Sequence, residues 1–108
     1  MHLHGFNMYI IEQGGAGEAY NGSVVRPENP QRRDTFITAP YGYTVFQFDA
    51  GANPGIWPMH CHTAAHSATG MFLQFLSSPL RTAQYDIPDK MARQCQAWIE
   101  TGIVPIGA

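Results

Sequence analysis

The chain has 108 residues, of which 44% are hydrophobic, 12% aromatic and 13% charged, and its formal net charge is −2. That length suits one small domain with a modest core, and so apolar a composition excludes disorder driven by charge. The near-neutral balance gives no strong pull toward nucleic acid or a membrane surface, and no apolar run reaches the length of a membrane span.

Taken in chain order, His2 to Gln13 reads as a strand, because β-branched and aromatic residues dominate its second half. Gly14 to Gln31 is a long loop rich in Gly, Asn, Glu and Pro. Within it Asn21-Gly22 suits a hairpin turn, and Asn21-Gly22-Ser23 is an N-glycosylation sequon. Arg32-Arg33 is the only basic pair, and it reads as a salt-bridge or loop feature rather than a phosphate site. Arg33 to Ala39 and Tyr43 to Asp49 read as strands around a turn at Pro40-Tyr41-Gly42. In the second of them Thr44, Phe46 and Phe48 share one face, with Val45 and Gln47 on the other.

Asn53-Pro54-Gly55 is a further turn. Ile56 to His62 and Gly70 to Leu76 read as the next two strands. Short strands with regular turn signals predict an all-β sandwich or barrel. The tail differs: Met91, Cys95, Trp98 and Ile99 are spaced i, i+4, i+7, i+8. With Asp86 and Asp89 ahead and Gly102 behind, this predicts one amphipathic helix over Pro88 to Thr101. The helix is expected to dock on the sandwich or on a neighbouring domain.

All five histidines fall in two clusters. His2-Leu3-His4 opens the chain, and His60-Cys61-His62 follows far downstream, with His66 and Met71 close behind. Imidazole, thiolate and thioether form a soft, transition-metal donor set. On a strand, side chains alternate between faces, so His2 and His4 share one side and His60 and His62 share one side, with Cys61 opposite. One strand can then serve two metal sites joined by covalent bonds through Cys61. Cys61, His66 and a weak axial Met71 are three of the ligands of a blue-copper site. His2, His4, His60 and His62 can meet on the other side if their strands are neighbours. Taken alone, Met71 could also be an ordinary core methionine.

An isolated His-x-His also occurs in zinc hydrolases, cupins and plain surface strands. Phe6 stands where one large hydrolase class would need Asp, and Asn7 and Met8 do not supply a cupin's Glu. The His-Cys-His group with His and Met at these offsets is the more specific signal. Two cysteines cannot form a disulfide scaffold; Cys61 is better read as a ligand, and Cys95 as a buried residue on the helix's apolar face.

Four stretches together resemble the multicopper oxidases: Met-His-Leu-His-Gly at 1–5, Asn-Pro-Gln-Arg-Arg-Asp-Thr at 29–35, Asn-Pro-Gly-Ile-Trp at 53–57 and His-Cys-His-Thr-Ala-Ala-His at 60–66. The likeness is to the C-terminal cupredoxin domain of fungal laccase-like members. It implies a Greek-key β-sandwich, incomplete at its N-terminus, with residues 1–80 as a partial plastocyanin-like domain. Residues 81–108 are then a tail with a helix at about 88–101. It implies that His2 is a ligand of type 2 copper and that His4, His60 and His62 are ligands of paired type 3 coppers. Cys61 and His66 are then type 1 ligands, with Met71 axial. The implied reaction oxidises a phenolic or similar reductant at type 1 copper, passes electrons through Cys61 to His60 and His62, and reduces dioxygen to water at a trinuclear cluster.

The family's motif carries His-Pro just before the position of Met1, and that histidine is the second type 1 imidazole. Met1 therefore reads as an internal residue or a misplaced start. The resemblance also assigns the remaining cluster histidines to N-terminal cupredoxin domains of the same polypeptide. As an isolated chain the protein is expected to be inactive, and metal-site completion would contribute to its folding. Family members are secreted, which gives the Asn21 sequon a context, although no signal peptide pattern follows Met1. A tail cysteine that bridges to the first domain in some fungal laccases offers a second role for Cys95. Laccases often carry Trp at the position of Ala65 and His at that of Phe6, so a ferroxidase or ascorbate oxidase-like enzyme is the alternative. Glu12, Glu18 and Asp49 are the carboxylates available to it. A simple electron-transfer cupredoxin would explain Cys61, His66 and Met71 but not the other four histidines.

Overall fold

The computed structural model describes residues 1–23 and 27–103. The part of the Gly14–Gln31 loop at 24–26 and the tail at 104–108 lie outside the described residues. Among those described, the strands are β1 (His2–Leu3), β2 (Met8–Gly14), β3 (Arg32–Arg33), β4 (Tyr43–Gln47), β5 (Gly55–His60) and β6 (Phe72–Ser77). They form two antiparallel three-stranded sheets, ordered β1-β5-β6 and β3-β2-β4. The expected all-β, cupredoxin-like sandwich is the fold.

Residues 2–13 do not run as one strand. The chain turns at Gly5, whose φ of +75° is open to glycine but costly for a side chain. A Cβ there would also collide with the indole of Trp57. β1 therefore belongs to one sheet and β2 to the other. The segment around residue 34 follows the same corner. Arg32 and Arg33 pair with Tyr9 and Met8, while the Asp34 carbonyl and the Phe36 amide bond to Leu3 and Met1. Of the strand expected over Arg33–Ala39, only the first residue therefore belongs to a ladder, with an isolated bridge from Thr35 to His2. The guanidinium of Arg32 lies over the Tyr9 ring at 5.0 Å, a packing role for the basic pair.

The sheets close on Leu3, Phe6, Met8, Phe36 and Met59, with Phe46, Phe48, Trp57 and Phe75 packed around them. Leu3 and Met8 are fully buried, which contributes roughly 1.5–3 kcal/mol each. Phe46 and Phe48 point to this core as their shared face predicted, and the Thr44 hydroxyl meets that of Thr38 at 2.9 Å. The turn at residues 40–42 forms as expected, with the Gly42 amide donating to Ala39. Asn21-Gly22 lies well inside the long connection between β2 and β3 and is not a tight two-residue hairpin turn; the Asn21 carboxamide accepts from the Ser23 amide at 2.8 Å.

Three helices are present among the described residues: α1 (Ala64–Ala68), α2 (Pro79–Thr82) and α3 (Asp89–Glu100). α3 matches the amphipathic prediction, and Pro88 precedes it. It does not dock on the sandwich: no residue of α3 is buried, and Met91, Cys95, Trp98 and Ile99 are all exposed. The reading of Cys95 as a buried residue is thereby corrected, because nothing in the described chain covers that face. α1 and α2 had no sequence signal, since four or five residues show too little periodicity to register. No helix of the described residues is long and apolar enough to cross a membrane.

Candidate metal centre

Antiparallel pairing of β1 with β5 sets His2 opposite His60 and Leu3 opposite Met59. Leu3 and Met59 point into the core, so the flanking histidines point out of it. β5 ends at His60, two residues earlier than expected, yet the alternation persists: the His60 and His62 rings stack at 5.7 Å. The His2 ring lies 4.7 Å from His4, 5.7 Å from His60 and 6.0 Å from His62, and His4 lies 5.2 Å from His60. All four imidazoles thus gather on one face. Nε2 of His4 and Nε2 of His60 approach to 3.1 Å. Desolvation, and then the neighbouring His2, His60 and His62, lower the proton affinity of His4. Neutral imidazole is the form with a lone pair to give a metal.

Second contacts fix the outer nitrogens. His2 Nδ1 lies 3.1 Å from the Asp34 carbonyl and 3.2 Å from the Thr35 hydroxyl, with the Asp34 carboxylate at 3.8 Å. His60 Nδ1 lies 3.1 Å from the Cys61 carbonyl, and the Phe72 ring stacks on His60 at 5.9 Å. Such partners set tautomer and aim at metal sites. None of Asp34, Thr35 or Phe72 was singled out by sequence; the Arg-Arg-Asp-Thr stretch was the available signal, without a role attached.

Cys61 lies on the other side of the strand end. Its Sγ is 3.5 Å from Nδ1 of His66, which α1 presents. The Cys61 amide donates to the Met71 carbonyl at 3.0 Å, and the Met71 amide donates to the His66 carbonyl at 3.0 Å. One loop therefore brings Cys61, His66 and the Met71 backbone together, while the Met71 residue is about half exposed at 48%. The Thr63 backbone N–H first, then the His66 ring and the Thr63 hydroxyl, pull the Cys61 thiol down to about 7. A thiol so placed is ready to deprotonate toward a metal. The donor chemistry of both groups suits copper, with imidazoles on one side and thiolate with imidazole on the other, although among the described residues no three His, Cys, Asp or Glu side chains are spaced to hold one metal ion.

The sequence pattern described as multicopper oxidase matches residues 1–81. This chain belongs to the multicopper oxidase family. It is 37% identical over 99 residues to an oxidoreductase, OpS5, of Beauveria bassiana, covering 91% of this chain and 16% of that protein. It is 42% identical over 82 residues to laccase-14 of Oryza sativa subsp. japonica, covering 69% of this chain and 13% of that one. It is 33% identical over 97 residues to the iron transport multicopper oxidase fio1 of Schizosaccharomyces pombe, covering 87% of this chain and 15% of that one. The family is one of copper-dependent oxidoreductases. The chain spans only 13–16% of the length of these three relatives.

Proposed function

We propose that this chain is the copper-binding C-terminal cupredoxin part of a laccase-like multicopper oxidase, with residues 1–80 as that domain and 81–108 as its tail. The carrying observation is the approach of His4 and His60 Nε2 to 3.1 Å across 56 residues of sequence. In this reading His2 holds type 2 copper, and His4, His60 and His62 hold the paired type 3 coppers. Cys61, His66 and Met71 would hold type 1 copper. Copper, when bound, supplies one-electron oxidation of a phenolic or similar reductant and the reduction of dioxygen to water.

The chain's own residues arrange that chemistry. Cys61 is covalently continuous with His60 and His62, and its carbonyl is hydrogen-bonded to His60 Nδ1. The two donor groups are thereby coupled through the shortest available path. Asp34 and Thr35 hold the His2 ring from behind. N-terminal cupredoxin domains of the same polypeptide supply the remaining donors, so the chain alone does not turn over. Secretion fits the exposed Asn21 sequon, and Cys95, exposed on α3, remains available for a bridge to such a domain.

Copper counting on the complete oxidase tests the reading. Several coppers per protein, together with dioxygen uptake, support it; a single copper without uptake would make the protein an electron carrier. The relative named for iron transport makes ferrous iron the second reductant to try. Here Glu12 accepts from the Tyr43 hydroxyl, Glu18 from the Gly15 amide and Asp49 from the Gly51 amide. Each carboxylate keeps further lone pairs, so turnover decides between the two: a rate on iron exceeding that on a phenol would replace the phenolic reading.

A further inference from the structure

Residues 4–6 are gripped from one direction by the segment Asn53–Pro58. The Asn53 side-chain amide donates to the Gly5 carbonyl at 2.9 Å. The Trp57 indole N–H donates to the Asn53 carbonyl at 2.9 Å. The His4 amide donates to the Pro58 carbonyl at 2.9 Å. The Trp57 ring fills the space where Gly5 and Gly55 would each carry a Cβ, and it meets the Phe6 ring edge-on at 6.1 Å.

This grip acts where the sheet is weakest. β1 makes two register pairs and no more, and His4 lies beyond them, one residue before the chain leaves for the other sheet. The gripping segment is also the start of β5, which carries His60 three residues after Trp57. Both histidine pairs are thus referenced to one piece of backbone.

We propose that Asn53 and Trp57 are positioning residues that latch the Gly5 corner to β5 and so aim His2 and His4 at His60 and His62. The purpose of the latch rests on the metal-centre reading above; its geometry does not. Asn53 and Trp57 bond to no imidazole and act through the Gly5 backbone; loss of groups that hold metal ligands in place typically weakens metal affinity about 10–100-fold.

The test uses the full chain and two variants. Asn53→Ala removes the donor to Gly5. Trp57→Phe keeps an aromatic ring and removes the indole N–H, and it serves if Asn53→Ala does not fold. In the metal-free chain, nuclear Overhauser effects report the His4–His60 approach, with those between Leu3 and Met59 as the measure of intact β1–β5 pairing. With copper(II) alone, titration reports the histidine set, and thiolate-to-copper absorption reports the Cys61 set.

The latch predicts separation of the His4 and His60 rings with the Leu3–Met59 pairing retained. It also predicts roughly 10–100-fold weaker copper binding at the histidines with the thiolate band unchanged. Retention of both the ring approach and the affinity would overturn it. So would parallel loss of both metal sets together with the Leu3–Met59 pairing, which would mark general support of the fold. If the unaltered chain takes up no copper while the variant still separates the rings, the latch stands on its geometry, and the copper count of the complete oxidase decides the metal-centre reading.

Discussion

The four-histidine face and the Cys61 loop meet at one strand end but are assembled at different ranges. The loop draws Cys61, His66 and the Met71 backbone from eleven residues of chain, closed by two backbone hydrogen bonds. The histidine face joins residues 56 positions apart and depends on a two-residue strand beside a glycine corner. A short loop closes at small entropic cost, whereas a distant pairing must be held by packing. The loop should therefore tolerate damage to the core or the corner that the histidine face does not.

The largest effect should come from Leu3, fully buried between His2 and His4 in sequence. Leu3→Ala is expected to cost about 2–5 kcal/mol in chemical denaturation, with the His4 and His60 rings separating before any change around Cys61. A loss of stability below about 1 kcal/mol would mean that β1 is held by something other than its core residue.

Gly5→Ala sharpens the contrast, because it leaves every ligand in place. A side chain at positive φ costs about 1–3 kcal/mol, and this one also meets the Trp57 indole. The variant should lose copper at the histidine face and keep the thiolate absorption of the Cys61 set. Simultaneous loss of both signals would break the comparison.

Met71→Leu addresses the loop alone. A weak thioether ligand lowers the potential of a blue-copper site relative to an aliphatic side chain. Redox titration of the complete oxidase should show a raised type 1 potential with the histidine face undisturbed. An unchanged potential would remove Met71 from the axial position.

The smallest effect lies far from both groups. The Glu12 carboxylate, by accepting from the Tyr43 hydroxyl, and then desolvation, push the Tyr43 titration up to about 12. The raised folded value contributes stability that is present below about 10, the ordinary tyrosine value, and is lost as pH rises through the folded one. Glu12→Gln should bring the ultraviolet titration midpoint back toward about 10 without altering copper binding. A midpoint that stays near its raised value would shift the cause from Glu12 to burial.

Periodicity made much of this legible. The strand at Tyr43–Gln47, the inward Phe46 and Phe48, the turn at residues 40–42 and the helix at Asp89–Glu100 all follow from local pattern. Alternation also separated Cys61 from His60 and His62, even though the ladder stops at His60. The continuous strand expected over residues 2–13 failed at Gly5, because the reason for the corner is the indole of Trp57, distant in sequence. Docking of the helix on the sandwich failed similarly: amphipathicity identifies an apolar face but not what covers it.

The sequence by itself determined which donor groups this protein carries, since imidazole, thiol and thioether groups and their spacing are properties of the chain. Only the tertiary structure decided that the two clusters share a face, that Asp34 and Thr35 back the His2 ring, and that Asn53 and Trp57 clasp the corner after His4. Those contacts join residues more than thirty positions apart, or two residues brought round one turn against a third. No local pattern encodes them, because their geometry depends on where the whole core lets the strands lie.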